Sequence, residues 1–336
     1  MKLLDPFNKP LIIAELGGKF GDMDIVERSI RAAVEAGADM IKFQTYCAET
    51  IATPGATFEF EDGSVVSQHE WFSKTELTFE DHQRIDGLCQ TLGVPWISTP
   101  SHPEDVELLE KFDCPAYKTG SDDLTNLPFL RYIAQKGRPM IVSTGMCTLA
   151  EVTAAVETIF SAGNEQLILL HCVSNYPSRP EDANLKAMDT LRAAFGVPVG
   201  LSDHTTDELT SVIATTMGAE VIEKHFTLDH ALDLPDHQVS LDPAAWRTLV
   251  DRVRMVPRTL GDGRKRILEP EKVWRKNARK SLFAARSIAE GETVTEDHLA
   301  VRRPGEGIHP HHYELVLGRT AKTSIDAGTL LSWAMV

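Results

Sequence analysis

The stretch VGLSDHTTDELTSVIATTMGAEVIEKHF, residues 199–226, decides the fold prediction because it holds one complete strand–helix–strand unit. The apolar runs at 199–204 and 221–226 are typical of buried strands, and the segment between them has the spacing of a helix. Each run ends near a histidine, His204 in the first and His225 in the second. The unit therefore predicts two strands that deliver an imidazole to matching positions.

Similar runs precede this unit along the chain, and amphipathic stretches separate them. Gly or Pro marks the turn into the following strand. Eight such strand–helix units over roughly 250 residues predict a (β/α)₈ TIM barrel, with its active site at the carboxyl ends of the strands. An open, doubly wound α/β sheet is the alternative. The earlier runs are LIIAEL (11–16), MIKFQT (40–45), PWISTP (95–100), AYKTG (116–120), MIVSTG (140–145) and LILLHC (167–172).

The composition is that of a globular, acidic protein. The 336 residues are 42% hydrophobic, and 49 acidic against 34 basic side chains give a formal net charge of −15. This charge argues against a nucleic-acid or anionic-membrane partner but leaves room for a local anion pocket. The five cysteines have no CxxC spacing, and no signal-like or long apolar segment is found. We therefore expect reduced thiols, a cytoplasmic location, and no nucleic-acid or membrane partner.

The pattern changes after the eighth strand unit. Residues 263–278 are charged with little periodicity, as in a linker. Residues 279–336 contain short apolar pieces separated by EGE, PGEG and DAG turns, which predict a small β-rich domain. We therefore predict a catalytic barrel over 1–262, a linker, and a small domain that needs a docking surface because of its size.

His204 and His225 end adjacent strands of the predicted barrel, so both imidazoles are expected to face one cavity. Two neutral ring nitrogens, with room for water and a substrate oxygen, make an open site for a divalent cation such as Mn²⁺ or Mg²⁺. The alternative is that each histidine is only hydrogen-bonded at the barrel rim. The occurrence of two on neighbouring strands favours the metal site.

Lys42 and Lys118 each stand inside a strand pattern, IKFQ and YKTG, where a soluble protein normally places an apolar residue. A buried lysine needs an anionic partner. Neighbouring strand ends carry hydroxyl groups, which suit phosphate or carboxylate oxygens. We therefore predict a pocket for a small, multiply charged anion; ion-paired lysines and a Schiff-base aldolase are the alternatives. The hydroxyl residues are Thr99, Ser121, Ser143, Thr144 and Ser202.

Five motifs in the order of the barrel strands resemble the sialic acid synthase family, and the resemblance covers nearly the whole chain. It implies a barrel followed by an antifreeze-like (SAF) domain. It also implies condensation of phosphoenolpyruvate with the open-chain aldehyde of an N-acylated hexosamine, helped by Mn²⁺ or another divalent ion. The product would be a nine-carbon 3-deoxy-2-keto acid, with release of phosphate. The motifs are AYKTGSDDLTNLPFLRYIAQKGRPMIVSTGM (116–146), LLHCVSNYP (169–177), GLSDHT (200–205), EKHFT (223–227) and VRRPGEGI (301–308).

The resemblance also implies roles for particular residues. His204 and His225 would hold the metal. Glu15 is the first candidate for the base that activates water at C2, with Asp123 and Glu223 as further candidates. The residues implied to hold phosphoenolpyruvate are Lys42, Thr99, Lys118, Ser121, Ser143 and Ser202. The residues implied to face the sugar are Glu15, Gln44, Tyr176, Asp236 and, from the second domain, Arg303.

The family resemblance further implies a homodimer in which each SAF-like domain caps the barrel of its partner. The chain departs from the family at the loop GGKFGD (17–22), which lies by the sugar, and segment 46–78 is too divergent for any contact to be assigned. The sequence therefore leaves the acceptor open between N-acetylmannosamine and the diacetamido sugars of the legionaminate or pseudaminate routes. A non-catalytic carbohydrate-binding module is the alternative of a different class.

Overall fold

The computed structural model describes residues 10–19, 22–59, 63–232 and 239–336. The chain divides into two compact units, Met1–Gly261 and Asp262–Val336. The first holds the predicted barrel and the second holds the predicted β-rich domain. No helix among the described residues is both long enough and apolar enough to cross a membrane.

Eight parallel strands of the first unit form one nearly closed barrel, which confirms the (β/α)₈ prediction. Their ends agree with the predicted runs to within two residues. Along the sheet the order is β5-β2-β1-β10-β9-β8-β7-β6, and the two end strands of this order lie beside each other. The strands are β1 (Leu11–Gly17), β2 (Met40–Thr45), β5 (Trp96–Pro100), β6 (Tyr117–Thr119), β7 (Met140–Ser143), β8 (Leu167–Cys172), β9 (Val199–Asp203) and β10 (Val221–His225).

A small antiparallel hairpin, β3 (Thr57–Glu59) and β4 (Val65–Ser67), is inserted between β2 and β5. Several helices of this unit begin at polar caps, as at α4 and α7, where a threonine and an acidic residue three positions into the helix form reciprocal capping boxes. They are α1 (Met23–Glu35), α2 (Ala48–Ile51), α3 (Gln68–Thr75), α4 (Phe79–Leu92), α5 (Pro103–Leu109), α6 (Leu127–Ala134), α7 (Leu149–Ser161), α8 (Ala187–Phe195), α9 (Leu209–Thr216) and α10 (Pro243–Leu260).

The barrel interior changes from apolar to polar within two residues along its strands. A buried apolar cluster fills one layer and includes Ile13, Met40, Ile97, Ala116, Ile141 and Val221. Because strand side chains alternate, the residues two positions further on point into the same interior. These are Glu15, Lys42, Thr99, Lys118, Ser143 and Glu223. The apolar layer therefore closes one side of the polar layer and excludes water from it.

The second unit contains α11 (Glu271–Ala278), the antiparallel strands β11 (Ser281–Ala284) and β12 (Leu299–Arg302), and α12 (Tyr313–Val316). A separate apolar cluster, from Leu282 to Val336, forms its core. The helix α11 occupies half of the segment that the sequence predicts as a linker, and none of its residues is buried.

Candidate active site

A cavity of about 600 Å³ opens at the carboxyl ends of the barrel strands. Strand register brings its charged residues together: Glu15 on β1 lies beside Lys42 on β2 and beside His225 on β10. The predicted phosphoenolpyruvate residues, the two histidines, Glu15, Glu223, Gln44 and Tyr176 all line this cavity.

Two lysines and two glutamates form a buried charged cluster at the floor of the cavity. Lys42 Nζ lies 2.6 Å from Glu15 Oε2 and 4.0 Å from Glu223 Oε1, and Lys118 Nζ lies 3.7 Å from Glu223 Oε1. All four residues are at most 5% exposed. Charges this deeply buried are tolerated only when they are paired. The two lysines and two glutamates therefore form a mutually compensating cluster inside the barrel.

Hydroxyl groups complete this cluster. Lys118 Nζ donates to Ser143 Oγ at 2.7 Å, Lys42 Nζ donates to Thr99 Oγ1 at 3.4 Å, and Ser202 Oγ donates to Glu223 Oε1 at 3.0 Å. The ammonium and hydroxyl groups already lie close together. Several of them could therefore donate to one anion that enters the cavity.

The two carboxylates of the cluster differ in how they are engaged. Glu15 Oε1 accepts from Gln44 Nε2 at 2.8 Å, while Glu15 Oε2 faces Lys42 through an ion pair rather than a well-directed hydrogen bond. Glu223 Oε2 is buried and has no hydrogen-bond partner among the described residues. An open carboxylate oxygen in the wall of a cavity is available to a ligand or a water.

The pKa values in the cluster reflect burial and mutual attraction. Burial acts to raise the pKa of Glu223, but attraction by Lys118 and Lys42 and the Ser202 hydrogen bond bring that pKa below its usual value. Burial lowers the pKa of Lys118, and the negative charge of Glu223 opposes this. The carboxylate of Glu223 is therefore held ionised at neutral pH.

His204 and His225 lie together at the cavity wall, with ring centroids 5.4 Å apart and Tyr176 packed against both. His204 Nδ1 lies 2.9 Å from the carbonyl oxygen of Val173. Since a carbonyl only accepts, Nδ1 carries the proton and the lone pair is left on Nε2, the tautomer that a metal ligand requires. The two donors fit a cation with open coordination positions, although no group of three or more His, Cys, Asp or Glu side chains is arranged for metal binding within the described ranges.

The described barrel residues do not bring the other three predicted residues into this cluster. Asp123 does not line the cavity, whereas its neighbour Asp122 does. The Oδ1 atom of Asp123 accepts a hydrogen bond from Asn126, and burial raises the pKa of Asp123 to about 6. Asp236 lies outside the described residues. Arg303 is an exposed residue of the second unit.

The structure adds residues in the cavity lining, and one directly behind it, that were not predicted from the sequence. Gly145 is packed so tightly that a Cβ there would lie 2.3 Å from Ser174 Oγ and 2.8 Å from Ser121 Oγ, while its amide donates to Ser121 Oγ. The STG motif therefore needs glycine to bring the chain close to the anion pocket. The divergent segment 46–78 also supplies lining residues, which are Tyr46, Ile51, Phe58, Trp71 and Phe72.

Comparison with known proteins identifies the family. A model of the NeuB family matches residues 29–265, and a model of the SAF domain matches residues 279–336. The chain belongs to the NeuB family. The predicted resemblance and the C-terminal SAF domain are therefore confirmed.

Several relatives of this NeuB-family protein are named as synthases of legionaminic, pseudaminic or neuraminic acids. It is 38% identical to the N,N'-diacetyllegionaminic acid synthase of Legionella pneumophila over 96% of this chain and 93% of that protein. It is 37% identical to a pseudaminic acid synthase of Campylobacter jejuni over 96% and 95% of the two chains. The crystal structure of an N-acetylneuraminic acid synthetase from Leptospira borgpetersenii in complex with citrate matches with a TM-score of 0.71 and 29% identity, covering 80% of this chain and 90% of that one.

Proposed function

We propose that this NeuB-family protein is a nonulosonic acid synthase, which condenses phosphoenolpyruvate with the open-chain aldehyde of an N-acylated hexosamine such as N-acetylmannosamine. The single observation that carries the proposal is the buried cluster of Lys42, Lys118 and hydroxyl groups beside two histidines in one cavity. Synthases of legionaminic, pseudaminic and neuraminic acids among its relatives support it.

The reaction balances as follows. The methylene carbon of phosphoenolpyruvate forms a bond to the aldehyde carbon, and the aldehyde oxygen takes up a proton. Water adds to the cationic C2 and loses a proton to a base. The bond between C2 and the phosphate oxygen then breaks as the C2 hydroxyl gives up its remaining proton to the departing phosphate, which leaves a 2-keto acid and inorganic phosphate.

In this proposal the anion pocket holds phosphoenolpyruvate. The ammonium groups of Lys42 and Lys118 offset the charge of its phosphate and carboxylate, and hydroxyl donors fix its orientation. Because the pocket is closed below by the apolar layer, these charge-assisted contacts are little screened by water. The hydroxyl donors are Thr99, Ser121, Ser143 and Ser202.

His204 and His225 would hold a divalent cation, Mn²⁺ or Mg²⁺. When bound, that cation would supply a Lewis acid to polarise the aldehyde oxygen of the acceptor. The Val173 carbonyl keeps Nε2 of His204 unprotonated for this role.

A buried carboxylate would take the proton from water at C2. Glu15 is the proposed base because Gln44 and Lys42 fix its orientation beside the predicted sugar position. Glu223, with its open oxygen, is the second candidate, and Asp123 the third. Replacing each of these carboxylates by its amide distinguishes the three candidates. Only the replacement of the true base should abolish turnover while leaving phosphoenolpyruvate binding intact.

We further propose a homodimer in which the SAF domain of one chain caps the barrel of the other and supplies Arg303 to the sugar. Arginine suits a residue that covers a sugar, because the N–H groups of its planar guanidinium can bind several oxygens at once. Asp236 would contact the sugar from the barrel side.

The test measures phosphate release from phosphoenolpyruvate with a panel of N-acylated hexoses and detects the keto acid by mass. Lys118→Met, which should release less phosphate at the same phosphoenolpyruvate concentration, provides the control. Saccharide binding by calorimetry without phosphate release from any acceptor would instead identify a non-catalytic carbohydrate-binding protein and overturn the proposal.

A further inference from the structure

One side of the cavity is apolar. We define the aromatic wall as Tyr46, Ile51, Phe58, Trp71 and Phe72, which come from the end of β2, α2, β3 and α3 and all line the cavity. Its rings contact one another edge to face, with centroids 5.0 Å apart for Tyr46 and Phe72 and 6.1 Å apart for Phe58 and Trp71. The wall is thus a packed surface.

The wall is supported from behind by the loop that follows β1. A Cβ at Gly18 would lie 2.4 Å from the Thr75 carbonyl oxygen and 2.7 Å from the Tyr46 hydroxyl, so the loop and the wall are in close contact. Lys19 makes two further contacts in this region. Its amide donates to the carbonyl oxygen of Thr75, and its Nζ lies 3.0 Å from Asp81 Oδ2. Gly18 and Lys19 of the GGKFGD segment therefore contact the residues that carry the wall.

The register of β2 places the wall relative to the anion pocket. Lys42, Gln44 and Tyr46 alternate along the chain, and all three line the cavity. Four residues of extended chain span about 13 Å, so the wall begins about that far from the lysine layer. If phosphoenolpyruvate lies on the lysines and the acceptor aldehyde stacks on it, the far end of the acceptor points towards the wall.

Within the wall, only the Tyr46 hydroxyl and the Trp71 indole N–H can form hydrogen bonds. The Tyr46 hydroxyl is already hydrogen-bonded to Thr75 Oγ1 at 2.7 Å, and the wall contains no charged side chain. The lysines that line the cavity among the described residues, Lys42 and Lys118, lie in the anion pocket. A hydroxyl or phosphate at the wall would lose hydrogen bonds to water, whereas a methyl group would gain apolar contact.

We propose that the aromatic wall is the specificity-determining subsite for the C4–C6 end of the acceptor. It selects an acceptor whose terminal carbon is a methyl group, or whose C4 hydroxyl is replaced by an acylamino group, over a polyhydroxylated or phosphorylated end. This inference rests on the proposed function, because it takes the position of the aldehyde from the condensation reaction.

The experiment compares acceptors that share C1 to C3: N-acetylmannosamine, its 6-deoxy analogue, 2,4-diacetamido-2,4,6-trideoxymannose and N-acetylmannosamine 6-phosphate. We expect kcat/KM of the wild type to be at least about tenfold higher for the 6-deoxy and diacetamido acceptors than for N-acetylmannosamine, the range typical of one apolar group in a pocket. Trp71→Ala and Phe58→Ala should reduce this ratio towards one while leaving KM for phosphoenolpyruvate unchanged. Trp71→Phe, which keeps an apolar ring, should retain most of the ratio.

Phe160→Ala, which removes an exposed aromatic ring from α7, is the matched control and should leave the ratio unchanged. Turnover with a wild-type preference for N-acetylmannosamine or its phosphate would overturn the inference without affecting the proposed function. So would wall variants that slow all acceptors equally and change the particle mass in solution, since the wall would then be an interface between copies. Absence of phosphate release with every acceptor would instead overturn the proposed function.

Discussion

Lys224 Nζ lies 3.1 Å from Asp203 Oδ2, and the two side chains are at most 1% exposed. Lys224 also donates to the carbonyl oxygen of Thr205 at 2.7 Å. Each member of this pair directly precedes one of the cavity histidines, Asp203 before His204 and Lys224 before His225. Because side chains alternate along a strand, the pair joins β9 and β10 on the face opposite to the histidines. The ion pair therefore links the two strands that carry the imidazoles.

Lys224→Met should destabilise the protein strongly, because it leaves the Asp203 carboxylate buried without its cation. We expect the free energy of unfolding in urea to fall by about 3–5 kcal/mol. The double variant Asp203→Asn, Lys224→Met should recover part of that loss, and Lys186→Met, at an exposed lysine before α8, should have little effect. A fall of less than about 1 kcal/mol in the free energy of unfolding of the single variant would contradict a stabilising role for this ion pair.

Lys118→Met should weaken phosphoenolpyruvate binding far more than sugar binding, because Lys118 lies in the anion pocket beside Ser143 and Glu223. A hydrogen bond to a charged group is worth about 1.5–3 kcal/mol, which corresponds to roughly a 10- to 150-fold rise in KM for phosphoenolpyruvate. Steady-state kinetics with each substrate varied in turn measures this. An unchanged KM for phosphoenolpyruvate with lost sugar affinity would reverse the assignment of the two halves, and borohydride trapping of a covalent adduct would support a Schiff-base lysine.

Metal removal should abolish turnover if His204 and His225 share a divalent cation. EDTA should inactivate the wild type, and Mn²⁺ or Mg²⁺ should restore it, whereas His225→Ala should respond poorly. Calorimetric titration with Mn²⁺ provides a readout that is independent of activity. Full turnover in EDTA would eliminate the metal site.

The raised pKa of Asp123 predicts a pH-dependent contribution to stability. Burial raises this pKa to about 6 from its ordinary value of 3.8, so the folded protein binds the proton more tightly than the unfolded chain does. The stabilisation is fully present below pH 3.8 and is lost as the pH rises through 6.

The free energy of unfolding of the wild type, relative to Asp123→Asn, should therefore fall by about 1–2 kcal/mol between pH 4 and pH 7, allowing for partial solvent exposure. Asp105, whose pKa burial also raises to about 6, is intact in both proteins, so its contribution cancels. Urea denaturation at several pH values measures the difference. A difference that is constant or increases with pH would show that Asp123 is not buried in this way.

Mixing two inactive variants tests the proposed swapped dimer. Arg303→Ala and His225→Ala affect different units of the chain, so a mixed dimer should contain one site in which both residues are intact. We expect activity to return after subunit exchange, up to one functional site per mixed pair. If mass spectrometry verifies the exchange and no activity returns, Arg303 serves the barrel of its own chain or none.

The sequence by itself determined the eight strands and the polar ends that they carry. Period-two alternation places Lys42 two residues beyond Met40 and Lys118 two residues beyond Ala116, so these lysines share the barrel interior once the strands are parallel. Five motifs taken together, among them those around His204 and His225, were enough to indicate the family, because local patterns and short motifs need no knowledge of long-range contacts.

Only the tertiary structure decided which of these groups touch. The 3.7 Å approach of Lys118 to Glu223 and the open Glu223 Oε2 depend on closure of the barrel, which brings together residues far apart in sequence. Closure also places Asp122, and not Asp123, in the lining of the cavity. It places Tyr46, Phe58 and Trp71 of segment 46–78 in the aromatic wall of the same cavity. Local periodicity carries no information on such contacts, because they are set by how strands and inserted loops pack in space rather than by spacing along the chain.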